Sequence, residues 1–236
     1  LLMDSKKKII VALDTIDISQ ALALTKLIPD VGAFKLGLEY FCANGPEGIN
    51  KISETGIKIF LDLKFHDIPN TVAGAIKASL NMEPYMMTVH LSGGYNMLHR
   101  TMEEVKEYCA KNSLKIPLIL GVSVLTSIDD KDFTALGIIG KVEDQVIRLA
   151  KLAKDAGLDG MVCSAKELKI VKKKMGQNLI LVTPGIRPAG GIMNDQKRIT
   201  TPSQAISDGA DFLVIGRPIT EAIDPVKALN NISLEI

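Results

Sequence analysis

A closed barrel of eight parallel strands alternating with helices, the α/β class known as the (β/α)8 or TIM barrel, is the fold this 236-residue sequence predicts. Two observations carry the prediction: eight short runs rich in β-branched and apolar residues recur along the chain, and the stretches between them carry helical spacing. A third observation is that no Pro/Gly-rich or low-complexity linker interrupts the alternation. Residues 1–236 are therefore expected to form one domain, a length usual for α/β barrels.

The runs are KIIVAL at 8–13, GAFKLG at 32–37, IKIFLDL at 57–63 and MMTVHL at 86–91, followed by IPLILGV at 116–122, DGMVC at 159–163, LILVT at 179–183 and DFLVI at 211–215. They are near-continuous in apolar character, as strands covered on both faces are. Between them, Ile18, Ala21, Leu22 and Thr25 repeat at helical spacing, and Val142, Val146, Leu149, Ala150 and Ala153 do so in mid-chain. Eight such units match the barrel, with a doubly wound open sheet as the alternative.

Composition narrows the partners. Hydrophobic residues make up 47% and charged residues 23%, which supplies a core and removes any case for disorder. Lys plus Arg (28) against Asp plus Glu (27) leaves a net charge of +1, too little field to gather nucleic acid or an acidic membrane. Aromatic residues are 4% with no Trp, so base-stacking platforms are missing as well. No apolar run reaches the roughly 18 residues of a membrane span. A small-molecule partner is expected. Cys42, Cys109 and Cys163 form no CxxC pair and are read as packing residues of a reducing, cytoplasmic compartment. The apolar segment at the start meets Asp14 too soon for a signal peptide. Met3 is the expected natural start, with Leu1 and Leu2 as a remnant before it.

Polar residues cluster at the ends of the runs: Asp14, Lys35, Asp62 with Lys64, His90, Ser123 with Thr126, Ser164, Arg187 and Arg217. In a barrel these ends share the face that carries active sites. The densest group is DLKFHDIPNT at 62–71. Asp62 and Lys64, two apart on a strand, point to one side. Asp67 adds a second carboxylate past the strand, and Pro69 suits the first turn of the next helix. An ion pair closing a strand end is the plain reading. With Asp14 and Lys35 arriving from neighbouring strands, a charge array is the stronger one, in which carboxylates favour the ammonium form of Lys64. A lysine so held is a poor Schiff-base nucleophile and a good proton donor to a developing carbanion.

This stretch resembles the Asp-x-Lys-x-x-Asp-Ile-Pro-Asn-Thr motif of the orotidine 5'-monophosphate decarboxylase family, matching every fixed position. VALD around Asp14, FKLG around Lys35, VLTS around Thr126, TPGIRP around Arg187, DQKR around Gln196 and VIGRPI around Gly216 and Arg217 extend the resemblance over nearly the whole chain. It implies a homodimeric barrel that converts orotidine monophosphate to uridine monophosphate, the last step of de novo UMP synthesis, without metal or organic cofactor. It also implies that Asp62 lies against the substrate carboxylate and that Lys64 protonates the ring carbon. Asp14 and Lys35 carry over as ribose contacts, Lys35 also joining the charge array, and Asp67 and Thr71 as groups reaching the partner subunit's site.

Two further features fit that expectation. Gly216 and Arg217 lie between the last strand and a helix opened by Pro218, a position where barrels bind phosphate. The stretch GIRPAGGIMNDQKRITT between Pro184 and Pro202 has no helical period and reads as a lid, with Arg187 at its root and Gln196 reaching the phosphate. His66, His90 and His99 lack metal-ligand spacing, so no metal is expected. Lys172 to Lys174 read as a solvated charge run. The rival readings are a metal-dependent sugar-phosphate decarboxylase or hexulose-phosphate synthase of the same barrel group, and a catalytically silent nucleotide-binding barrel. The Ile-Pro-Asn-Thr continuation opposes the first and the intact charge array the second.

Overall fold

The computed structural model describes residues 5–188 and 200–236. Eight parallel strands close into a barrel in sequence order: β1 (Ile9–Leu13), β2 (Ala33–Gly37), β3 (Ile59–Phe65), β4 (Met86–His90), β5 (Leu118–Val122), β6 (Gly160–Val162), β7 (Ile180–Thr183) and β8 (Phe212–Ile215). β8 pairs back onto β1, so the sheet has no open edge, and the open-sheet alternative is excluded. Each strand lies within two residues of its predicted run. The outer layer is α1 (Ile18–Leu27), α2 (Leu38–Ser53), α3 (Pro69–Leu80), α4 (Gly94–Asn112), α5 (Asp130–Ala135), α6 (Val142–Asp155), α7 (Leu168–Met175), α8 (Pro202–Ser207), α9 (Arg217–Thr220) and α10 (Pro225–Leu234). No helix among the described residues is long and apolar enough to cross a membrane.

The continuous apolar strands have a physical use on both sides. In β1, Ile9, Val11 and Leu13 join the large core under the helices, while Ile10 and Ala12 join a smaller core inside the barrel. That inner core also takes Ala33, Phe60, Met86, Leu120, Val182 and Val214. The two methionines of the fourth run part company the same way, Met86 inward and Met87 outward. A fully buried side chain of this size contributes roughly 1.5–3 kcal/mol relative to exposure. The helices bury the predicted stripes: Val142, Val146, Leu149, Ala150 and Ala153 are all buried on α6.

Helix ends follow side-chain chemistry. Asp17 caps α1 by accepting from the N–H groups of Ser19 and Gln20, and Asp129 with Asp132 forms a capping box on α5. Pro69 opens α3 as expected. α2 is broken at Gly45, whose φ of 60° is a conformation glycine adopts without a steric penalty. The aspartates that begin the sixth and eighth runs tie strands together, Asp159 accepting from Ile119 N at 2.8 Å and Asp211 from Leu181 N at 2.8 Å.

Two readings of individual residues need correction. Lys172 is largely buried and pairs with Asp211 at 2.9 Å, since its stem packs between α7 and the base of β8. Cys42 is exposed on α2 rather than packed in the core, whereas Cys109 and Cys163 are buried.

Gly160 marks a tight point in the barrel. A Cβ there would meet the carbonyl oxygen of Ile180 and stand 2.8 Å from Ile180 Cβ and 2.9 Å from Leu120 Cδ2. Gly160→Ala is therefore expected to destabilise the fold by about 1–3 kcal/mol, read from urea unfolding midpoints. An unchanged midpoint would mean that β6 and β7 yield more easily than the packing implies.

Candidate active site

The third strand builds the centre of the site. Phe60, Asp62 and Lys64 face inward while Leu61, Leu63 and Phe65 pack outward, so the period of two holds to the end of the strand. Lys64 achieves this with a left-handed backbone, φ 51°, a conformation costing on the order of 1–2 kcal/mol for a residue with a Cβ. Its ammonium lies 2.8 Å from Asp62 Oδ2. Lys35, inward on β2, stands 3.6 Å from the same oxygen and 3.3 Å from Asp14 Oδ1 at the end of β1. Asp14, Lys35, Asp62 and Lys64 thus form one alternating row across three strands.

Asp62 is only 7% exposed. Burial alone would raise its pKa. The ammonium groups of Lys35 and Lys64, with hydrogen bonds from Lys64 and Thr88, outweigh that and hold the carboxyl below its ordinary range. Gly37 keeps the row uncrowded, because a Cβ at that position would lie 3.0 Å from Lys35 Nζ.

The row borders a cavity of about 260 Å³ at the C-terminal end of the barrel. Val122, Val124, Leu125, Val162, Cys163 and Pro184 supply an apolar wall from β5 to β7, with Thr126 beside it. Arg187, Gly216 and Arg217 complete the lining. Two carboxylates and four cations therefore face one space, so the lining carries a formal excess of positive charge. Such a cavity suits a flat, partly apolar ring bearing negative groups at separate edges. Burial pushes the Cys163 thiol up, which makes it an inert wall rather than a nucleophile.

Arg187 is held where the two ends of one stretch meet. Arg187 N donates to Thr200 O at 3.0 Å and Thr200 N to Gly185 O at 3.3 Å. Residues 189–199 of the expected lid, Gln196 among them, lie outside the described residues. α9 is a single turn, with Pro218 in its first turn. Gly216 is its N-cap residue, so a helix start stands after β8 where the sequence places one, one turn long.

Asp67 and Thr71 stay apart from the cavity. Both are exposed, and Asp67 Oδ1 accepts from Ile68 N at 2.6 Å. His90 ends β4 beside His66, ring centroids 5.2 Å apart, and lines no part of the cavity. Burial, with the nearby charges of His66 and Lys64, pushes its pKa below the ordinary histidine value. Among the described residues no three His, Cys, Asp or Glu side chains are grouped as a metal site.

The family model described as Orotidine 5'-phosphate decarboxylase / HUMPS family matches residues 7–232. The chain belongs to this family. Among relatives, the orotidine 5'-phosphate decarboxylase of Rhodospirillum rubrum is 46% identical over 98% of this chain and 95% of its own, and that of Sphingopyxis alaskensis 49% identical over 95% and 96%. The crystal structure of orotidine 5'-phosphate decarboxylase from Lactobacillus acidophilus superposes with a TM-score of 0.84 at 37% identity, covering 96% of this chain and 97% of the other.

Within this decarboxylase-family barrel, sequence reasoning missed three site residues. Thr88 is buried between Asp62 and the backbone of Lys64, Gly37 makes room for Lys35, and Cys163 forms wall. Thr88 alone left a signal, as the only polar side chain between Met86 and Val89 in a run otherwise apolar up to its closing histidine.

The depressed carboxyl of Asp62 sets an acid limb. Its stabilising effect is complete above the ordinary aspartate value of about 3.9 and is lost as pH falls through the lower folded-state value. Wild type should therefore lose stability more steeply than Asp62→Asn as pH falls below roughly 4, in denaturant melts at fixed salt. Parallel curves would mean that Asp62 titrates alike folded and unfolded.

Proposed function

We propose that the protein decarboxylates orotidine 5'-monophosphate to uridine 5'-monophosphate, closing pyrimidine nucleotide synthesis in the cytoplasm, with no metal or organic cofactor and residues 1–236 acting as one catalytic domain. The observation that carries this reading is the alternating row Asp14–Lys35–Asp62–Lys64, with Asp62 buried at its centre, along one edge of a cavity that also holds Arg187 and Arg217. The relatives' shared name supports it across most of the chain.

The chemistry demands such a row. Breaking the bond between the ring carbon and the carboxylate leaves an electron pair in the ring plane, where the π system cannot delocalise it. Without a cofactor as electron sink, the protein has to supply electrostatic stabilisation and positioning, a class of effect within the roughly 8–23 kcal/mol that enzymes provide. Lys64 gives its proton to that carbon as carbon dioxide departs. Its side chain is 32% exposed, so the resulting amine regains a proton from water. Asp62 lies near the departing carboxylate and disfavours the ground state. Lys35, between the two aspartates, keeps Asp62 ionised and with Asp14 holds the ribose. Arg187, Arg217 and Gly216 take the phosphate, joined by Gln196, and Thr126 contacts the substrate beside the apolar wall. Phosphate binding far from the reacting carbon then contributes to turnover as well as affinity.

The homodimer belongs to the same proposal. Asp67 and Thr71 are exposed and are not part of their own cavity's lining, which fits groups that complete a partner's site. Ile16, Leu38, Ile68, Tyr95 and Leu125 are exposed apolar residues that follow β1 to β5 on this same barrel face, a surface suited to burial by a second copy.

Ultraviolet loss of orotidine monophosphate in the presence of EDTA tests the function. Metal-free turnover by wild type supports it, while chelator-sensitive activity on a hexulose phosphate, or binding without turnover, would sink it. Lys64→Ala should abolish turnover and leave UMP binding measurable; near-normal turnover would remove Lys64 as the proton donor. Mixed Lys64→Ala and Asp67→Ala subunits should regain up to about a quarter of the activity if sites are shared, taking half the subunits as mixed pairs with one intact site each. No regain would count against sharing.

A further inference from the structure

Thr88 lies on β4 opposite an irregularity in β3. Leu61 pairs with Met87 and Phe65 with Val89, so Asp62, Leu63 and Lys64 all lie against the single residue Thr88. A slip of this kind removes backbone groups from the ladder and re-aims side chains. Thr88 takes up what is lost. Its Oγ1 accepts from the peptide N–H of Lys64 at 2.9 Å and donates to Asp62 Oδ1 at 3.0 Å. The same carboxylate's other oxygen holds the Lys64 ammonium at 2.8 Å. One hydroxyl, 0% exposed, therefore joins the backbone of the lysine to the carboxylate that its side chain pairs with.

We infer that Thr88 is a positioning residue for the decarboxylation proposed above, its hydroxyl setting the separation and orientation of the Asp62 carboxylate and the Lys64 ammonium. Thr88 does not line the cavity, so it acts through those two groups alone. The left-handed backbone of Lys64, φ 51°, makes the demand specific. Asp62, Leu63 and Lys64 have no Cα partner in the β3–β4 register, and the Lys64 N–H is held by the Thr88 hydroxyl within that slip. Valine has the shape of threonine with neither donor nor acceptor, and would leave the Lys64 N–H and Asp62 Oδ1 each without a partner it now has. Serine keeps the hydroxyl and loses only the methyl that restrains χ1.

The inference rests on the decarboxylase reading, and the test separates the two. Wild type, Thr88→Val and Thr88→Ser are compared in steady-state turnover of orotidine monophosphate, UMP binding and urea unfolding. Thr88→Val should lower kcat on the order of 10- to 100-fold while KM and UMP affinity stay within about threefold, because the loss is geometric and near the reacting carbon. Thr88→Ser should stay within about threefold of wild type in kcat, since the hydroxyl is retained. Should valine prevent folding, Thr88→Ala against Thr88→Ser gives the same comparison. A valine or alanine variant with near wild-type kcat overturns the inference, as does an equal loss in the serine variant, or a loss confined to KM. A wild type inert toward orotidine monophosphate defeats the decarboxylase reading and any part for Thr88 in it, whereas an active wild type with an unimpaired valine variant defeats this inference alone.

Discussion

A carboxylate sealed inside a barrel is the constraint around which the rest is arranged. Asp62 stays ionised because Lys35 and Lys64 stand within 3.6 Å and 2.8 Å of one oxygen and Thr88 donates to the other. Take away the lysines and burial would favour the neutral acid; take away the carboxylate and two ammonium groups would share a narrow space. Neither lysine is near Asp62 by accident of rotamer. Gly37 lies beside Asp62 in the β2–β3 register, Ala12 beside Lys35 in the β1–β2 register, and small residues at both points leave the long side chains room to converge.

The barrel interior is graded to hold that charge. Bulky apolar side chains such as Ile10, Phe60, Met86 and Leu120 fill it below, and the charged row sits above them on β1 to β3. Opposite, β5 to β7 offer valines, Cys163 and Pro184, with the arginines after β7 and β8. One wall carries charge, one is apolar, and one end presents two arginines. The cost of burying Asp62 is offset by the much larger core between strands and helices, which takes side chains from every strand of the barrel.

Strands were readable because both faces are buried, which makes their apolar character continuous and their ends abrupt. Asp62 and Lys64 were readable for the converse reason, as the charges in a strand, Ile59–Phe65, that is otherwise apolar. Thr88 was hard to see because threonine is an ordinary strand former, and Gly37 because its contribution is the absence of a side chain. Lys172 looked like one of three solvated lysines, yet its partner Asp211 lies 39 residues away, a separation no local pattern encodes. Asp67 reads as a neighbour of Lys64 in sequence and is turned to solvent in the single chain, since the bend after Phe65 carries it off the strand.

By itself the sequence determined the barrel, the order of its elements, the residues at its C-terminal face and the family, because periodicity and strand-end chemistry are local properties of the chain. Only the tertiary structure decided which of those residues meet. Closure of β8 onto β1 brings Arg217 and Asp14 to one cavity, and the slip between β3 and β4 lets Thr88 bridge Asp62 to Lys64. Distances between groups 20 or more residues apart depend on strand register and on the space left by small neighbours. Those are properties of packed strands, settled when the barrel closes.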